Sequence, residues 1–363
     1  MTVERMSRAQ AAAAAAGIDA ILVTPGPDLR YLTGYDALPL ERLTCLVLPS
    51  NADPVLVVPS LERPAAEASP AGASGLEIVD WQETDDAVTL VAKLLSDARR
   101  VAIDDHMWAE KVLRFRAAMP AAEQVLAGSL LRELRIRKSV EEIAALRSAG
   151  GKIDRVHARM GEWLRPGRTE RDVGRDIADA ILTEGHQRVD FIIVAAGPNG
   201  ASPHHSMSER VIEADEPVVV DIGGTTPEGY CSDETRTYVV GGPPDEFIEA
   251  YDVLHRAQEA AVDQARAGNT AESVDAAARD VLTAAGLGDY FVHRTGHGIG
   301  LETHEEPYIV AGNTRVLEPG MAFSIEPGFY LPGRFGARIE DIVVVTDDGV
   351  ERLNMRPRAL AVL

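Results

Sequence analysis

Arg165-Pro-Gly-Arg-Thr169 and Arg266-Ala-Gly-Asn-Thr270 open two 21-residue segments that lie 101 positions apart and end on Gly185 and Gly286. At that offset Arg165/Arg266, Gly167/Gly268, Thr169/Thr270, Val173/Val274, Asp179/Asp280 and Gly185/Gly286 are identical pairs. Each segment reads as a helix, with the threonine as N-cap, where its hydroxyl can accept an early N–H, and the glycine where the chain leaves the helix. The residues beyond each helix are matched as well. Residues 217–223 and 230–240 come after the first helix and residues 321–330 and 336–346 after the second, each a pair of strand-like runs around a turn rich in Pro and Gly. Each half is therefore a helix followed by a hairpin. Two such halves related by a pseudo-twofold axis would join their hairpins into one curved antiparallel sheet, with the helices on its outer face and a cleft on the other.

The hairpins carry acids at corresponding places, Asp221 and Asp233 in the first and Glu326 and Glu340 in the second. Each lies in an apolar run, such as Val218-Val-Val-Asp221-Ile222 and Phe323-Ser-Ile-Glu326, where an unpaired ionised carboxylate is costly to bury. Arg236 and Arg338 lie on the same runs, but two arginines leave part of the charge of four carboxylates uncompensated. A pair of divalent cations compensates it better. His297, in the glycine-rich Thr295-Gly-His-Gly-Ile-Gly300, is a fifth candidate ligand; its alternative is a hydrogen-bonded loop histidine. An oxygen-dominated set of this kind suits manganese, with cobalt or zinc as alternatives, over a thiolate-seeking metal. Two such ions share bridging carboxylates and activate a common water.

Working outward, residues 20–24, 43–49, 54–59 and 101–104 read as strands and 62–68 and 87–99 as helices, an α/β domain in which no motif carries chemistry. The composition turns basic over residues 130–138, and Ser139-Val-Glu-Glu142 is a capping box that opens a long helix towards Leu164, stopped by Pro166-Gly167. The domains are accordingly expected at 1–130 and 131–363. Over the 363 residues, 36 Lys and Arg against 57 Asp and Glu give a net charge of −21. That balance excludes a nucleic-acid or anionic-membrane partner, which needs an excess of cations on one face. The two cysteines, Cys45 and Cys231, fit neither a disulfide framework nor a CxxC site. With no leader-like start and no apolar run long enough to span a bilayer, a cytoplasmic protein is expected.

Five motifs then stand in order: Asp221-Ile-Gly-Gly, Tyr230-Cys-Ser-Asp233-Glu-Thr-Arg236-Thr, His293-Arg-Thr-Gly-His297-Gly-Ile-Gly, Ser324-Ile-Glu326-Pro-Gly-Phe-Tyr330 and Arg338-Ile-Glu340-Asp341. Together they resemble the Xaa-Pro peptidases, prolidase and aminopeptidase P, of the pita-bread metallopeptidase family. The resemblance covers nearly the whole chain and implies an α+β protein, an N-terminal creatinase-like α/β domain followed by a pita-bread catalytic domain. It also implies that Asp221 chelates one ion, that Asp233 and Glu340 bridge both, and that His297 and Glu326 complete the coordination of the second ion. Glu326 would further be the general base for a water bridging the ions. His204, His293 and His304 would line the cleft, with His293 and His304 binding the scissile carbonyl and the tetrahedral intermediate. His204 is preferred to the adjacent His205 for its place after the Gly197-Pro-Asn-Gly200 turn. Arg338 is either a catalytic group touching substrate or a structural partner of a carboxylate. Tyr330 is expected to orient a metal-ligating carboxylate, Tyr230 and Thr235 to support or pack, and Cys231 to act as a small hydrophobe. The implied activity is hydrolysis of the bond before proline in a di- or oligopeptide, a dipeptidase being favoured. The alternatives are an aminopeptidase P acting on longer peptides, a creatinase-like non-peptidase hydrolase, and a non-catalytic binding protein. A homodimer is implied, in which one chain's N-terminal domain restricts the other's cleft.

Overall fold

The computed structural model describes residues 2–363, and the chain separates into two compact units, one ending at Arg135 and the next beginning at Ile136. The first holds a six-stranded mixed sheet of β1 (Ala20–Val23), β2 (Cys45–Pro49), β3 (Val55–Pro59), β4 (Glu77–Trp81), β5 (Arg100–Ile103) and β6 (Glu123–Leu126). Their order is β4-β3-β2-β1-β5-β6, with β1 and β2 covered on both faces, which is why they read as continuous apolar runs. The helix expected over 87–99 stops at Leu94, just ahead of Leu95-Ser-Asp97; serine and aspartate compete for the backbone and weaken a helix end.

In the second unit the capping box at Ser139 and Glu142 forms as read. The helix it opens, Val140–His157, ends seven residues short of Leu164, and Met160–Trp163 forms a separate short turn. The break falls where the buried His157 ring turns inward, bonding the Tyr238 hydroxyl at 2.8 Å and the Glu234 carbonyl at 3.1 Å.

The two repeat helices are Glu170–Thr183 and Ala271–Ala284. The Thr169 hydroxyl accepts the Asp172 N–H at 3.1 Å, whereas the Thr270 hydroxyl makes no such cap. The backbone in front of them is nevertheless repeated bond for bond. Gly167 donates to Ile212 and Gly268 to Leu317, while Ile212 donates to Arg168 and Leu317 to Asn269, all at 2.8–3.0 Å. Gly185 and Gly286 leave the helices with φ of 97° and 77°, the left-handed region that an L side chain resists. Core positions repeat too: Val173, Ile177 and Ile181 pack under the first helix, and Val274, Ala278 and Leu282 under the second.

After the first helix come β7 (Arg188–Ala196), β8 (Pro217–Thr225) and β9 (Cys231–Val239), an antiparallel set. After the second come β10 (Gly296–Gly298), β11 (Glu305–Ile309), β12 (Ala322–Ile325), β13 (Gly328–Leu331), β14 (Phe335–Arg338), β15 (Asp341–Val345) and β16 (Val350–Arg352); a last strand, β17 (Ala361–Val362), returns beside β9. The second hairpin differs from its reading as two continuous strands. It is interrupted at Glu326-Pro327 and at Ile339-Glu340, so that β13 and β14 form a ribbon of their own. Pro327 has no N–H to give a ladder, the Glu326 N–H goes to the Thr295 carbonyl at 2.8 Å, and the Glu340 N–H goes to Thr235 at 3.1 Å. That last bond ties the second hairpin to the first. Both halves thus contribute antiparallel strands to one region, as three sheets rather than one. Among the described residues no helix is long and apolar enough to cross a membrane.

Candidate active site

The β8–β9 register sets Asp221 opposite Thr235 and Gly223 opposite Asp233, so the two aspartates are diagonal neighbours on one face. Glu326 and Glu340 occupy the two interruptions of the second hairpin, immediately beyond the paired Ile325 and Asp341. A cleft of about 800 Å³ is lined by Asp221, Asp233, His297, Glu326, Glu340, His204, His293, His304 and Arg338 together. All nine residues read in the sequence as metal ligands or catalytic groups therefore meet. The cleft also takes Asp190, Phe191 and Ile193 from β7, with Pro203, Arg294 and Thr303, which the sequence reading did not single out. The apolar run from Phe191 to Ala196 after Gly185 was the available signal for β7, whose alternation brings Phe191 and Ile193 to one face.

Ligand atoms of Asp233, His297 and Glu340 lie within 4.8 Å of one another. The His297 Nε2 is 3.3 Å from Glu326 Oε1 and 3.6 Å from Asp233 Oδ2. Its Nδ1–H donates to the Gly298 carbonyl at 3.1 Å, which leaves the Nε2 lone pair facing the acids. Burial, followed by the neighbouring His304, pushes His297 down to about 3, so the ring is neutral. The acids move the other way. Burial first, then the charges of Glu340 and Asp221, hold Asp233 well above the carboxylate range, and burial with Glu326 and Asp221 does the same to Glu340. Burial pushes Glu326 up to about 7.

Among the described residues one arginine answers this cluster directly: Arg338 Nη2 meets Asp221 Oδ2 at 2.5 Å. The other oxygen of Asp221 is buried without a partner. Arg236 is turned away, donating to the Glu340 and Thr235 carbonyls and pairing with Asp341. A neutral imidazole lone pair, crowded carboxylates and an orphaned carboxylate oxygen are the donor set of divalent cations, and the residues present fit them.

The remaining predicted groups divide by what they touch. Arg338 donates from Nε to Thr235 Oγ1 at 3.1 Å and from Nη1 to Tyr330 Oη at 2.7 Å, as well as to Asp221, so it is a carboxylate partner. The Tyr330 hydroxyl meets His293 Nε2 at 2.8 Å and Arg338, and reaches a ligand carboxylate only through that arginine. The His293 Nδ1 bonds the Arg294 carbonyl at 2.7 Å. Both ring nitrogens of His293 are thus occupied, and the donor role implied for it has no free N–H. The rings of His204 and His304 are not hydrogen-bonded to the described residues, and His304 stands edge-on to His297 with centroids 4.1 Å apart. His205 turns from the cleft to Glu170 at 2.8 Å. Thr235 Oγ1 donates to Glu340 Oε2 at 2.7 Å, the supporting contact expected of it, while Tyr230 bonds Glu142. The Cys231 thiol is buried, which pushes it up to about 11 and rules out a thiolate nucleophile.

Two pseudo-symmetric hairpins that bury four acids in a cleft shared with the neutral His297 define a metal-dependent hydrolase. The chain belongs to metallopeptidase family M24, matched over residues 144–347, and residues 5–137 match the creatinase/prolidase N-terminal domain. It is 54% identical to a protein named probable dipeptidase PepE from Mycobacterium tuberculosis, over 99% of this chain and 96% of that one. It is 38% identical to an Xaa-Pro dipeptidase of Lactobacillus helveticus, over 92% of each chain. The solved structure of a recombinant prolidase from Thermococcus sibiricus superposes with a TM-score of 0.93 at 38% identity, covering 100% of this chain and 99% of that one.

Proposed function

We propose that this protein is a dinuclear metal-dependent Xaa-Pro dipeptidase. The observation that carries this reading is the buried set of Asp221, Asp233, His297, Glu326 and Glu340 in one cleft, with Arg338 as the one direct arginine or lysine partner among the described residues. The names of the relatives supply the substrate class. Asp233, Glu340, Asp221, His297 and Glu326 would together hold the ions, Asp233 and Glu340 as the ligands the two would share. Manganese is the favoured metal, with cobalt or zinc able to occupy the same oxygen-rich set. The ions, when bound, polarise the scissile carbonyl and make an attacking water acidic near neutral pH.

The protein's own groups do the rest. Glu326, at the cleft wall with Oε1 fixed by the Ser324 hydroxyl at 3.2 Å, accepts the proton of the attacking water. It then hands that proton to the proline nitrogen, a tertiary amide nitrogen that can leave only as a secondary amine. The free rings of His304 and His204 donate to the carbonyl oxygen as negative charge develops there. His293 holds Tyr330, and Tyr330 with Arg338 holds Asp221. Phe191 and Ile193 supply apolar wall for the substrate. A cytoplasmic homodimer completes the proposal; light scattering at micromolar concentration reads the dimer, and a monomer with full activity contradicts it.

The test of function is product release from Ala-Pro, Ala-Pro-Ala and Ala-Leu in manganese-supplemented buffer. Ala-Pro should be cleaved at least about tenfold faster than either of the others, the scale of discrimination one recognised group provides. Faster cleavage of Ala-Pro-Ala would make the protein an aminopeptidase, and equal cleavage of Ala-Leu would remove the proline requirement.

A further inference from the structure

Glu170, the first residue of the helix Glu170–Thr183, is completely buried and has no part in the chemistry above. Its carboxylate accepts five hydrogen bonds, all from one stretch of chain. Oε1 takes the Ala196 N–H and the Asn199 side-chain amide, both at 2.9 Å. Oε2 takes His205 Nε2 at 2.8 Å, the Ser208 N–H at 3.0 Å and the Ser208 hydroxyl at 2.6 Å. Those donors stand at both ends of the 196–208 connection that carries His204. The connection itself contains one short 3-10 turn, Gly197–Ala201, and otherwise no regular structure to stiffen it.

Its other side is held by the second hairpin. Arg338 Nη1 donates to the Pro203 carbonyl at 3.4 Å. Gly200 lies so close to β14 that a Cβ added to Gly336 would sit 2.1 Å from the Gly200 oxygen. His204 is therefore flanked by one neighbour whose carbonyl is tied to Arg338 and another whose ring is tied to Glu170, while its own ring is left free in the cleft.

The repeat shows that a buried acid is not needed for the helix itself. At the offset of the repeat, Glu170 corresponds to Ala271, which is equally buried. In that half another buried acid makes the matching contact: Asp275 Oδ1 accepts the Thr295 N–H at 3.1 Å and its hydroxyl at 2.8 Å. Arg279, paired with Asp275, donates to the His293 carbonyl at 2.9 Å. Each repeat helix thus carries one buried carboxylate that fastens a histidine-bearing segment. Burial alone would push the Glu170 acid up, yet its five donors hold it below the usual carboxylate range, as an ionised acceptor.

We propose that Glu170 is a positioning residue, which fixes His204 in the cleft by fastening His205 and Ser208. The proposal rests on the peptidase reading for its assay. The full-length, manganese-supplemented protein is compared on Ala-Pro as wild type, Glu170→Gln, His204→Ala and the double variant. Glutamine keeps the volume but turns an NH₂ against donors. Glu170→Gln should lower kcat by about tenfold or more, the cost of a misplaced catalytic group, with KM and bound metal near wild type. In the His204→Ala background the same change should lower kcat by less than about twofold, because the group it positions is already gone. In protein loaded with diamagnetic zinc instead of manganese and labelled at histidine carbons, the His204 ring resonance should shift or broaden in Glu170→Gln while that of His297 stays. The same fold-loss with and without His204, or an unmoved His204 resonance with unchanged kcat, overturns the proposal. If Glu170→Gln does not fold, Ser208→Ala enters the same cycle and is read by the same results. A wild type that leaves Ala-Pro intact overturns the peptidase reading instead, and the His204 resonance still decides the positioning.

Discussion

Among the described residues the Glu340 carboxylate is held by one hydroxyl, Thr235 Oγ1 at 2.7 Å, while its backbone is held by its own N–H on the Thr235 carbonyl and by Arg236 on the Glu340 carbonyl. Groups that orient a metal ligand typically change metal affinity by about 10–100-fold when removed. Thr235→Val keeps the shape and deletes the hydroxyl, so metal affinity measured by competition with a chelator should fall by about that factor. Unchanged affinity would mean that Glu340 is placed by its backbone alone. At this scale the sequence is informative wherever a side chain is costly in its surroundings: Asp221 stands out because an acid inside the valine-rich run from Val218 demands a partner, whereas Asp233, between Ser232 and Glu234, is marked by its motif and its place in the hairpin. Glu326, after the apolar Phe323-Ser-Ile325, stands out as Asp221 does, and Glu340, between Ile339 and Asp341, by its motif. Arg294 and Thr303 line the same cleft and went unnoticed, since a polar residue in a polar stretch looks the same whether it faces a cleft or open water. The occupied ring of His293 depends on where Tyr330 and the Arg294 carbonyl come to rest, and that is set by the fold.

Elements were legible in proportion to how local their causes are. The capping box at Ser139 and the glycine ends of the repeat helices are written in adjacent residues, and they form as read. The breaks of the second hairpin at Glu326 and Glu340 arise because their N–H groups are taken by Thr295 and Thr235, far away in sequence, so periodicity alone joined what the fold separates. The end of the Val140–His157 helix likewise comes from a histidine drawn to Tyr238. The strand β10 that presents His297 depends on close backbone approach: a Cβ on Gly296 would lie 1.8 Å from the Ser324 oxygen. Gly296→Ala should therefore destabilise the protein by at least about 1–3 kcal/mol, the usual cost of overpacking a tight site, read as a lowered midpoint of denaturation. A stability equal to wild type would show that β10 and β12 can separate without loss.

For the whole molecule, folding and ionisation are linked through buried histidines. Burial, with the Arg236 charge next, pushes His157 down to about 3, against 6.5 when unfolded. Between those values the unfolded chain binds a proton that the native one refuses. The stability His157 allows is therefore complete above about pH 6.5 and is lost as pH falls below it, by up to about 1.4 kcal/mol per pH unit. His157→Gln should flatten the fall of Tm between about pH 6.5 and 4.5 relative to wild type; parallel curves would assign the acid sensitivity to other groups. The pseudo-twofold architecture was readable at this scale because the repeat leaves identical punctuation 101 residues apart, and the helices it marks carry matched backbone bonds. The joining of the hairpins was expected, though not as three separate sheets.

The proposed function requires that Asp221, Asp233, His297, Glu326 and Glu340 together hold two divalent ions on which peptide hydrolysis depends. Protein stripped with a chelator and titrated with manganese, with bound metal and Ala-Pro cleavage followed in the same samples, tests it directly. Cleavage should be absent in the stripped protein and should reach its full value as about two ions bind per chain. Full cleavage without bound metal, or saturation of both binding and cleavage at one ion per chain, would contradict it.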